Sequence, residues 1–411
     1  MTTRELPFYQ RPTKLTVLPN GITVLSTEIP TILLRLEICF ASGSAIENIP
    51  GTAHYAEHML AGGPSRTEIH PAFRELYPKG MSSNACTRWD GTRYYVQSRA
   101  SNAELMIKAL VNQVFHPEFN EQVFETERGS ILNEYEGSKE KRSFGQWFRR
   151  QLTGNQYALD RSAVGLPETI REIALDDVKN FIQKEYRATN CLVLSSGGLA
   201  HEELLGLLST IDFPETRKQP RCIYPALSPE IKTAVFMKKH VSAKTGIYWT
   251  SETTQKEMMA AGICFDLLNT SPLGELIKKL RGERGLAYGV SGGASRFPVR
   301  EFSLHSKIGL PNFEAFHEAA HGCLRDLSAG NFSRLLFDAT KAIIETNLEA
   351  SKQNTGIEGP ANILFNAWAM DEFLTHDPVQ TLQHITPETI IETARKHFSP
   401  TTFGRIDRIP E

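Results

Sequence analysis

The chain lacks the features that direct a protein to a membrane or to nucleic acid. Its 411 residues contain no apolar run long enough to span a bilayer and no long run of one charge sign. The net charge is −2, so we expect no basic surface for nucleic acid or anionic lipid. The first residues have neither the apolar segment of a signal peptide nor the Arg- and Ser-rich pattern of a transit peptide. We therefore expect no membrane and no nucleic-acid partner.

Cysteine is scarce, and the six cysteines are scattered along the chain without a CxxC pair. This pattern favours reduced, mostly buried thiols, as in a cytoplasmic protein. A chain that had already been processed would show the same pattern, so the cytoplasmic location is an expectation. Apolar residues make up 40% and charged residues 22% of the chain, as in an ordinary protein with a sizeable core and more than one domain.

A five-residue motif, HYAEH from His54 to His58, predicts a metal-binding helix. Residues four apart lie on one face of a helix, so His54 and His58 can bind the same metal ion. Glu57 precedes the second histidine, and its carboxylate can reach a water on the metal without being a ligand. This order is the inverse of the HExxH motif of zinc proteases. Thr52 is the expected N-cap, and Gly62-Gly63-Pro64 is the expected stop.

The motif needs a third ligand, because catalytic zinc usually has three protein ligands and one open position. By itself, HxxEH arises by chance in roughly a few chains of this length per hundred. Glu134 is the candidate, and 75 residues separate it from His58. Glu127 lies seven residues before Glu134 and shares its helix face, so it can hold a histidine N–H or the ligand helix. A surface salt bridge with Arg128 is the alternative role for Glu127.

Together these features resemble the insulinase/pitrilysin family of zinc metallopeptidases. Within that family, the chain is similar to the short two-domain branch of mitochondrial processing peptidases and small bacterial relatives. The resemblance covers most of the chain and rests on HxxEH, on the gap to Glu134 and on the glutamate seven residues earlier. It implies a zinc ion held by His54, His58 and Glu134, with Glu57 as the general base and Glu127 in support.

Strand and helix signals occur twice in the same order, which predicts a duplicated α+β fold with largely antiparallel sheets. The second set begins roughly 205–210 residues after the first. Prolines cluster within 212–230, as in a linker. We predict a zinc-bearing domain at 1–213, a Pro-rich linker at 214–230 and a second repeat domain without zinc at 231–411. The family has the same two-fold repeat.

The duplication predicts one active site and one zinc ion per chain. Shifted by the repeat offset, the HYAEH motif falls within Met258–Asn269, which contains no histidine. A rival motif, HEAAH at His317–His321, matches HExxH, but it falls on a helix that carries no ligand in the first repeat. We interpret it as an ordinary helix with two histidines at helical spacing. A metal site or adventitious binding remains the alternative.

Two further segments acquire a role through the resemblance. Alone, the sequence NACT is equally well explained as an ordinary edge strand of small residues. In the family, the matching Asn-Ala-x-Thr strand lies beside the zinc and pairs with substrate, which implies substrate contacts for Asn84, Ala85 and Thr87. Arg281 and Tyr288 match the family's Arg-x-x-x-Gly-Leu-x-Tyr, whose arginine and tyrosine reach the substrate and the transition state.

The sequence therefore predicts a zinc-dependent endopeptidase that cleaves short or unfolded peptides. The resemblance implies a homodimer that encloses substrate in a chamber, since larger family members build a chamber from four such domains. Heterodimeric relatives divide the zinc motif and the Arg/Tyr pair between chains, whereas this chain contains both. A heterodimer and a non-catalytic subunit of a larger assembly, like the core subunits of respiratory complexes, are the alternatives.

Overall fold

The computed structural model divides into two units, each built on one β-sheet with packed helices. It describes residues 2–7, 11–65, 68–153, 162–213, 220–224, 234–238, 242–250, 253–270, 272–295, 301–353, 356–398 and 404–410. The first unit contains residues 1–146, 155–224 and 354–375, and the second contains 147–154, 225–353 and 376–411. Within the described ranges, no helix is long and apolar enough to cross a membrane.

The predicted domain bounds follow the sequence order, whereas the first unit also takes in residues 354–375. The predicted linker at 214–230 lies outside the described residues except for 220–224. The bounds of the two repeat domains therefore stay a prediction.

The first unit contains the strands β1 (Thr3–Leu6), β2 (Thr13–Val17), β3 (Thr23–Glu28), β4 (Leu33–Phe40), β5 (Ser82–Thr87), β6 (Thr92–Arg99) and β7 (Cys191–Gly197). Their order in the sheet is β1-β2-β3-β7-β4-β6-β5. β3 and β7 are parallel, and the other described neighbours are antiparallel. A tight turn joins β2 to β3, with Gly21 at φ +95° and Asn20 Oδ1 accepting the Ile22 N–H.

The second unit contains the strands β8 (Ala234–Lys238), β9 (Lys244–Thr250), β10 (Ala287–Ser295), β11 (Glu301–Ile308) and β12 (Gly404–Pro410). Their order is β10-β11-β9-β12-β8. Here β8 and β12 are the parallel pair, and the other described neighbours are antiparallel. Read from β8, this order is the order of β3-β7-β4-β6-β5, with the parallel pair in the same place. The predicted duplication and the α+β fold with largely antiparallel sheets are confirmed.

The helices along the chain are α1 (Thr52–Gly62), α2 (Ala103–Phe115), α3 (Glu121–Thr153), α4 (Pro167–Glu172), α5 (Leu175–Glu185), α6 (His201–Ser209), α7 (Gln255–Asn269), α8 (Glu275–Ile277), α9 (Phe313–Ala329), α10 (Arg334–Gln353), α11 (Gly359–Met370), α12 (Pro378–Gln383) and α13 (Pro387–His397). In the first unit, alternate residues of β4, such as Leu34, Leu36 and Ile38, face a core shared with α1 and α2. In the second unit, Ile247 and Trp249 of β9 face a core shared with α7 and α9. The period of two along each strand therefore buries one sheet face under helices.

One local prediction at the metal helix is wrong. Thr52 is the first residue of α1 and not its N-cap, which is Gly51 at φ +101°. The Thr52 hydroxyl donates to the Ile49 carbonyl, so it does not serve the helix N–H groups. Glu47 serves them instead, because its two carboxylate oxygens accept the N–H groups of Gly51 and Ala53 at 2.8 and 2.9 Å.

Candidate metal centre

The metal helix α1 is held against the glutamate helix α3 by contacts of buried side chains. Tyr55 donates its hydroxyl to the Phe124 carbonyl at 2.5 Å, and the two rings stack with centroids 4.4 Å apart. Arg128 pairs with Glu125 and donates to the carbonyls of Ile170 and Ile173, near the end of α4. The contacts of Tyr55 with Phe124 thus join α1 to α3, and the bonds of Arg128 join α3 to the end of α4.

The structure brings His54, His58 and Glu134 together. The Nε2 atoms of His54 and His58 lie 3.5 and 3.6 Å from the same Glu134 oxygen, Oε2. One donor atom from each of the three residues lies within 4.8 Å of the other two, and no other trio of His, Cys, Asp or Glu in the described ranges does so. A tetrahedral zinc ion with bonds of 2.0–2.2 Å needs donors roughly 3.3–3.5 Å apart. The chemistry and the spacing of this donor set both fit zinc.

Glu57 lies beside the three donors and is not one of them. Its carboxylate oxygen is 3.6 Å from His54 Nε2, and the residue is 8% exposed. A carboxylate at this distance can exchange a proton with a molecule bound between the histidines and Glu134.

Glu127 orients His58 from the other side of its ring. Its Oε2 lies 2.7 Å from His58 Nδ1, and the Glu127 side chain is 4% exposed. Since an ionised carboxylate is only an acceptor, His58 Nδ1 carries the proton and Nε2 faces Glu134. Glu127 therefore has a hydrogen bond to His58, and Arg128 pairs with Glu125.

The two histidines have opposite electrostatic environments. Burial, with a smaller contribution from the charge of His58, lowers the pKa of His54 to about 4. Burial also acts to lower the pKa of His58, but hydrogen bonds to Glu127 and Glu134 outweigh it and raise this pKa to about 9. In the metal-free protein at pH 7, His54 is neutral and His58 carries a proton.

The residues assigned to substrate lie on β5, at the edge of the first sheet. Asn84 is exposed, and its Oδ1 accepts the N–H of Ala85 at 2.9 Å. Thr87 is partly buried, with its hydroxyl 3.4 Å from that of Thr92 on β6. A peptide that added at this edge as a further strand would compete with the side chain of Asn84 for the Ala85 donor.

Arg281 and Tyr288 lie together in the second unit. The Arg281 guanidinium is 4.9 Å from the centroid of the Tyr288 ring, within the range of a cation–π contact. Tyr288 is 86% exposed, which is unusual for a large aromatic side chain. Arg281 lies within a π-helical turn at Lys278–Glu283, and Gly285 at φ +59° follows this turn before Tyr288. Their role in catalysis stays a prediction.

Sequence reasoning missed the residues that position α1. Glu47 is 6% exposed and lies five residues before Thr52, the first residue of the helix. Its only signal is an acidic residue shortly before a helix start, which is common on protein surfaces. Tyr55 is fully buried inside the motif, but its hydrogen-bond partner is set by tertiary structure.

Comparisons with known proteins agree with this fold. Residues 23–165 match the family described as "Insulinase (Peptidase family M16)", and residues 172–344 match "Peptidase M16 inactive domain". The chain is 28% identical over 220 residues to the mitochondrial-processing peptidase subunit beta of Bos taurus, which is 53% of this chain and 45% of that protein. A probable subunit beta from Arabidopsis thaliana is 28% identical over 47% of this chain and 37% of its own length. The matches thus span less than half of these relatives.

Solved structures share the fold along nearly the whole chain. The first half of the periplasmic protease PqqL from Escherichia coli covers 99% of this chain and 94% of its own, with a TM-score of 0.80 and 18% identity. A protease from Helicobacter pylori covers 98% of this chain and 100% of its own, with a TM-score of 0.72 and 18% identity. The duplicated fold and the two family matches lead to one conclusion: the chain belongs to the insulinase family, peptidase family M16.

Proposed function

We propose that the protein is a zinc-dependent endopeptidase that hydrolyses short or unfolded peptides. The observation that carries this proposal is the approach of His54 Nε2, His58 Nε2 and Glu134 Oε2, with the Glu57 carboxylate beside them. Three donors of the zinc type with an adjacent acid are the minimum for metal-assisted peptide hydrolysis. A cytoplasmic location stays a prediction, since relatives include mitochondrial and periplasmic proteins.

In this mechanism the chain's own residues hold the reactants and move one proton. A zinc ion bound by the three donors would act as a Lewis acid and lower the pKa of water. Glu57 accepts the proton of the attacking water and then gives it to the leaving amine. Glu127 keeps His58 in the tautomer that presents Nε2. Tyr288 and Arg281 are proposed to donate to the carbonyl oxygen as its negative charge develops.

A second candidate function is a subunit that needs a different partner for activity. The curated relatives are named as beta subunits, and residues 172–344 match a domain described as inactive. The candidate metal centre lies outside that match, in residues 23–165. This placement favours the peptidase, since the inactive description applies to the other repeat.

Digestion of a peptide library tests the choice between these functions. The zinc-loaded protein is expected to cleave unfolded peptides, to lose this activity on chelation and to regain it when zinc is restored. If the zinc-loaded chain cleaves nothing alone but cleaves after addition of a cell extract, the partner-dependent subunit is the better assignment.

Metal analysis of the purified protein is expected to find about one tightly held zinc ion per chain. Glu134→Gln should lose most of this zinc, because a carboxamide oxygen is neutral and a poor zinc ligand. Glu104→Gln is the matched control, since Glu104 is an exposed residue of α2 that pairs with Lys108. Two tightly held ions per chain, or full zinc content in Glu134→Gln, would contradict the ligand assignment.

Zinc binding at pH 7 is expected to release about one proton per chain, because the ligand must be neutral. The proton comes from His58, whose pKa is raised to about 9, whereas His54 at about 4 is already neutral. Apparent zinc affinity should rise with pH up to about 9 and then level off. Calorimetry in buffers of different ionisation enthalpy measures the release. Glu127→Gln should reduce the number of protons released at pH 8. A zinc affinity that is independent of pH between 6 and 9 would refute the assignment.

A further inference from the structure

The HEAAH motif lies on α9 of the second unit, where one of its histidines belongs to a buried polar network. His317 is 8% exposed, and its Nε2 lies 2.7 Å from the Thr245 hydroxyl. Thr245 donates this hydroxyl to Asp407 Oδ1 at 2.5 Å. The other Asp407 oxygen accepts from Arg405 Nε at 2.7 Å, and Arg405 also pairs with Glu314. Asp407 and Thr245 are themselves buried.

This network fixes the tautomer of His317. A hydroxyl has one proton, and the Thr245 proton points to Asp407, so the Thr245 oxygen must accept from His317. Nε2 of His317 therefore carries a proton, so Nδ1 is the ring nitrogen that can bind a metal ion. Among the described residues, the contacts of His317 include no hydrogen bond to Nδ1. A metal-binding histidine usually donates its other ring N–H to a carboxylate, a backbone carbonyl or water. In this network the Thr245 hydroxyl, which itself donates to Asp407, takes that place.

The first repeat shows that the fold does not require this network. α2 and α9 both follow a short turn that ends in an asparagine N-cap, Asn102 and Asn312, so residues 210 apart are equivalent. The equivalents of His317 and His321 are Ile107 and Val111, which are buried apolar core residues. Burial of polar groups is costly unless each is satisfied, so a polar network that replaces apolar packing indicates a function.

The network opens into a cavity of about 600 Å³. Four side chains of one face of α9 line it, namely Glu314, His317, Glu318 and His321, at spacings of three and four residues. Arg405 lines it too. With Asp407 and Arg325 included, three carboxylates face two guanidinium groups, since the charge of Arg325 also acts on His321. The net formal charge of −1 still favours a cation.

We propose that this cavity binds a divalent transition-metal ion through His317 Nδ1 and His321, with Glu318 or Glu314 and water completing the coordination. The ring centroids of His317 and His321 are 6.4 Å apart, whereas those of His54 and His58 are 4.5 Å apart. The proposed site is therefore more open than the His54 centre. Two imidazoles on a tetrahedral ion have centroids roughly 5–5.5 Å apart, so partly exposed His321 turns toward His317 on binding. The site therefore holds metal more weakly than the His54 centre, and the ion is exchangeable.

Copper(II) is the sharpest probe, because it binds imidazole most strongly among these ions and reports nitrogen ligands by paramagnetic resonance. The full chain with His58→Ala, which disables the His54 centre, is titrated with copper(II) in excess glycine. We expect one ion per chain with two nitrogen ligands. His321→Ala should remove one nitrogen and weaken binding by about 10-fold or more. His384→Ala, a change at an exposed histidine of the same unit, should alter neither the spectrum nor the affinity.

A second variant tests whether the Thr245 hydroxyl contributes to metal binding, which it would not do for a chance pair of histidines. Thr245→Val keeps both imidazoles but removes the oxygen that holds the His317 proton, so copper binding should weaken about 10- to 100-fold. Circular dichroism establishes that each variant is folded. Unchanged binding in His321→Ala, or binding in Thr245→Val as tight as in its parent, would overturn the proposal.

Discussion

Glu57→Gln is expected to lower kcat by about 10²–10⁴ and to leave zinc bound, because it removes a general base and no ligand. The amide nearly matches the carboxylate in shape, so it can stay beside His54, but it cannot accept the proton of the attacking water. The carboxylate oxygen lies 3.6 Å from His54 Nε2, close enough to serve that water and outside the set of three donors. Kinetics with a quenched peptide, at equal zinc content, measure the loss.

Two comparisons make this result specific to Glu57. Glu104→Gln makes the same chemical change on the surface of α2 and should keep full activity. Glu134→Gln should lose zinc and activity together, whereas Glu57→Gln should lose activity alone. If Glu57→Gln loses its zinc while Glu134→Gln keeps it, the roles of the two carboxylates are reversed.

The donor set was predictable from the sequence because helix geometry alone defines it. A spacing of four places His54 and His58 on one face of α1, and a spacing of seven places Glu127 and Glu134 on one face of α3. The structure adds the 2.7 Å bond from Glu127 to His58 and the capping of α1 by Glu47. The capping by Glu47 could not be predicted from the sequence, since the path of residues 47–51 into the helix depends on the surrounding fold.

The duplication was predictable for a similar reason, since the two series of strands and helices repeat in order. The parallel pairing of β3 with β7, and of β8 with β12, was not predictable, because each pair joins strands far apart in sequence. β12 also escaped prediction, since three of the seven residues in its sequence GRIDRIP are charged and do not alternate with apolar residues. Helix α11 was missed as well, although most of its residues are buried in the first unit.

Mixing two inactive variants is expected to restore activity if the enzyme is a homodimer whose second unit completes the zinc site of the partner chain. This arrangement is our proposal and rests on the family resemblance of Arg281 and Tyr288. Tyr288 is 86% exposed beside Arg281, as expected for a residue that serves a surface other than its own core. Tyr288→Phe removes one donor to the developing oxyanion and should cost about 10²–10³ in kcat.

In a mixed dimer of Glu57→Gln and Tyr288→Phe chains, one zinc site keeps both residues, because the Tyr288→Phe chain supplies Glu57 and its partner supplies Tyr288. One working site per mixed dimer should therefore appear as subunits exchange. The matched control is the double variant mixed with the wild type. If the sites are shared, each mixed dimer loses both sites, so total activity falls below that of the wild type alone. No recovery between the single variants after subunit exchange, or an active monomer by light scattering, would show that each chain completes its own site.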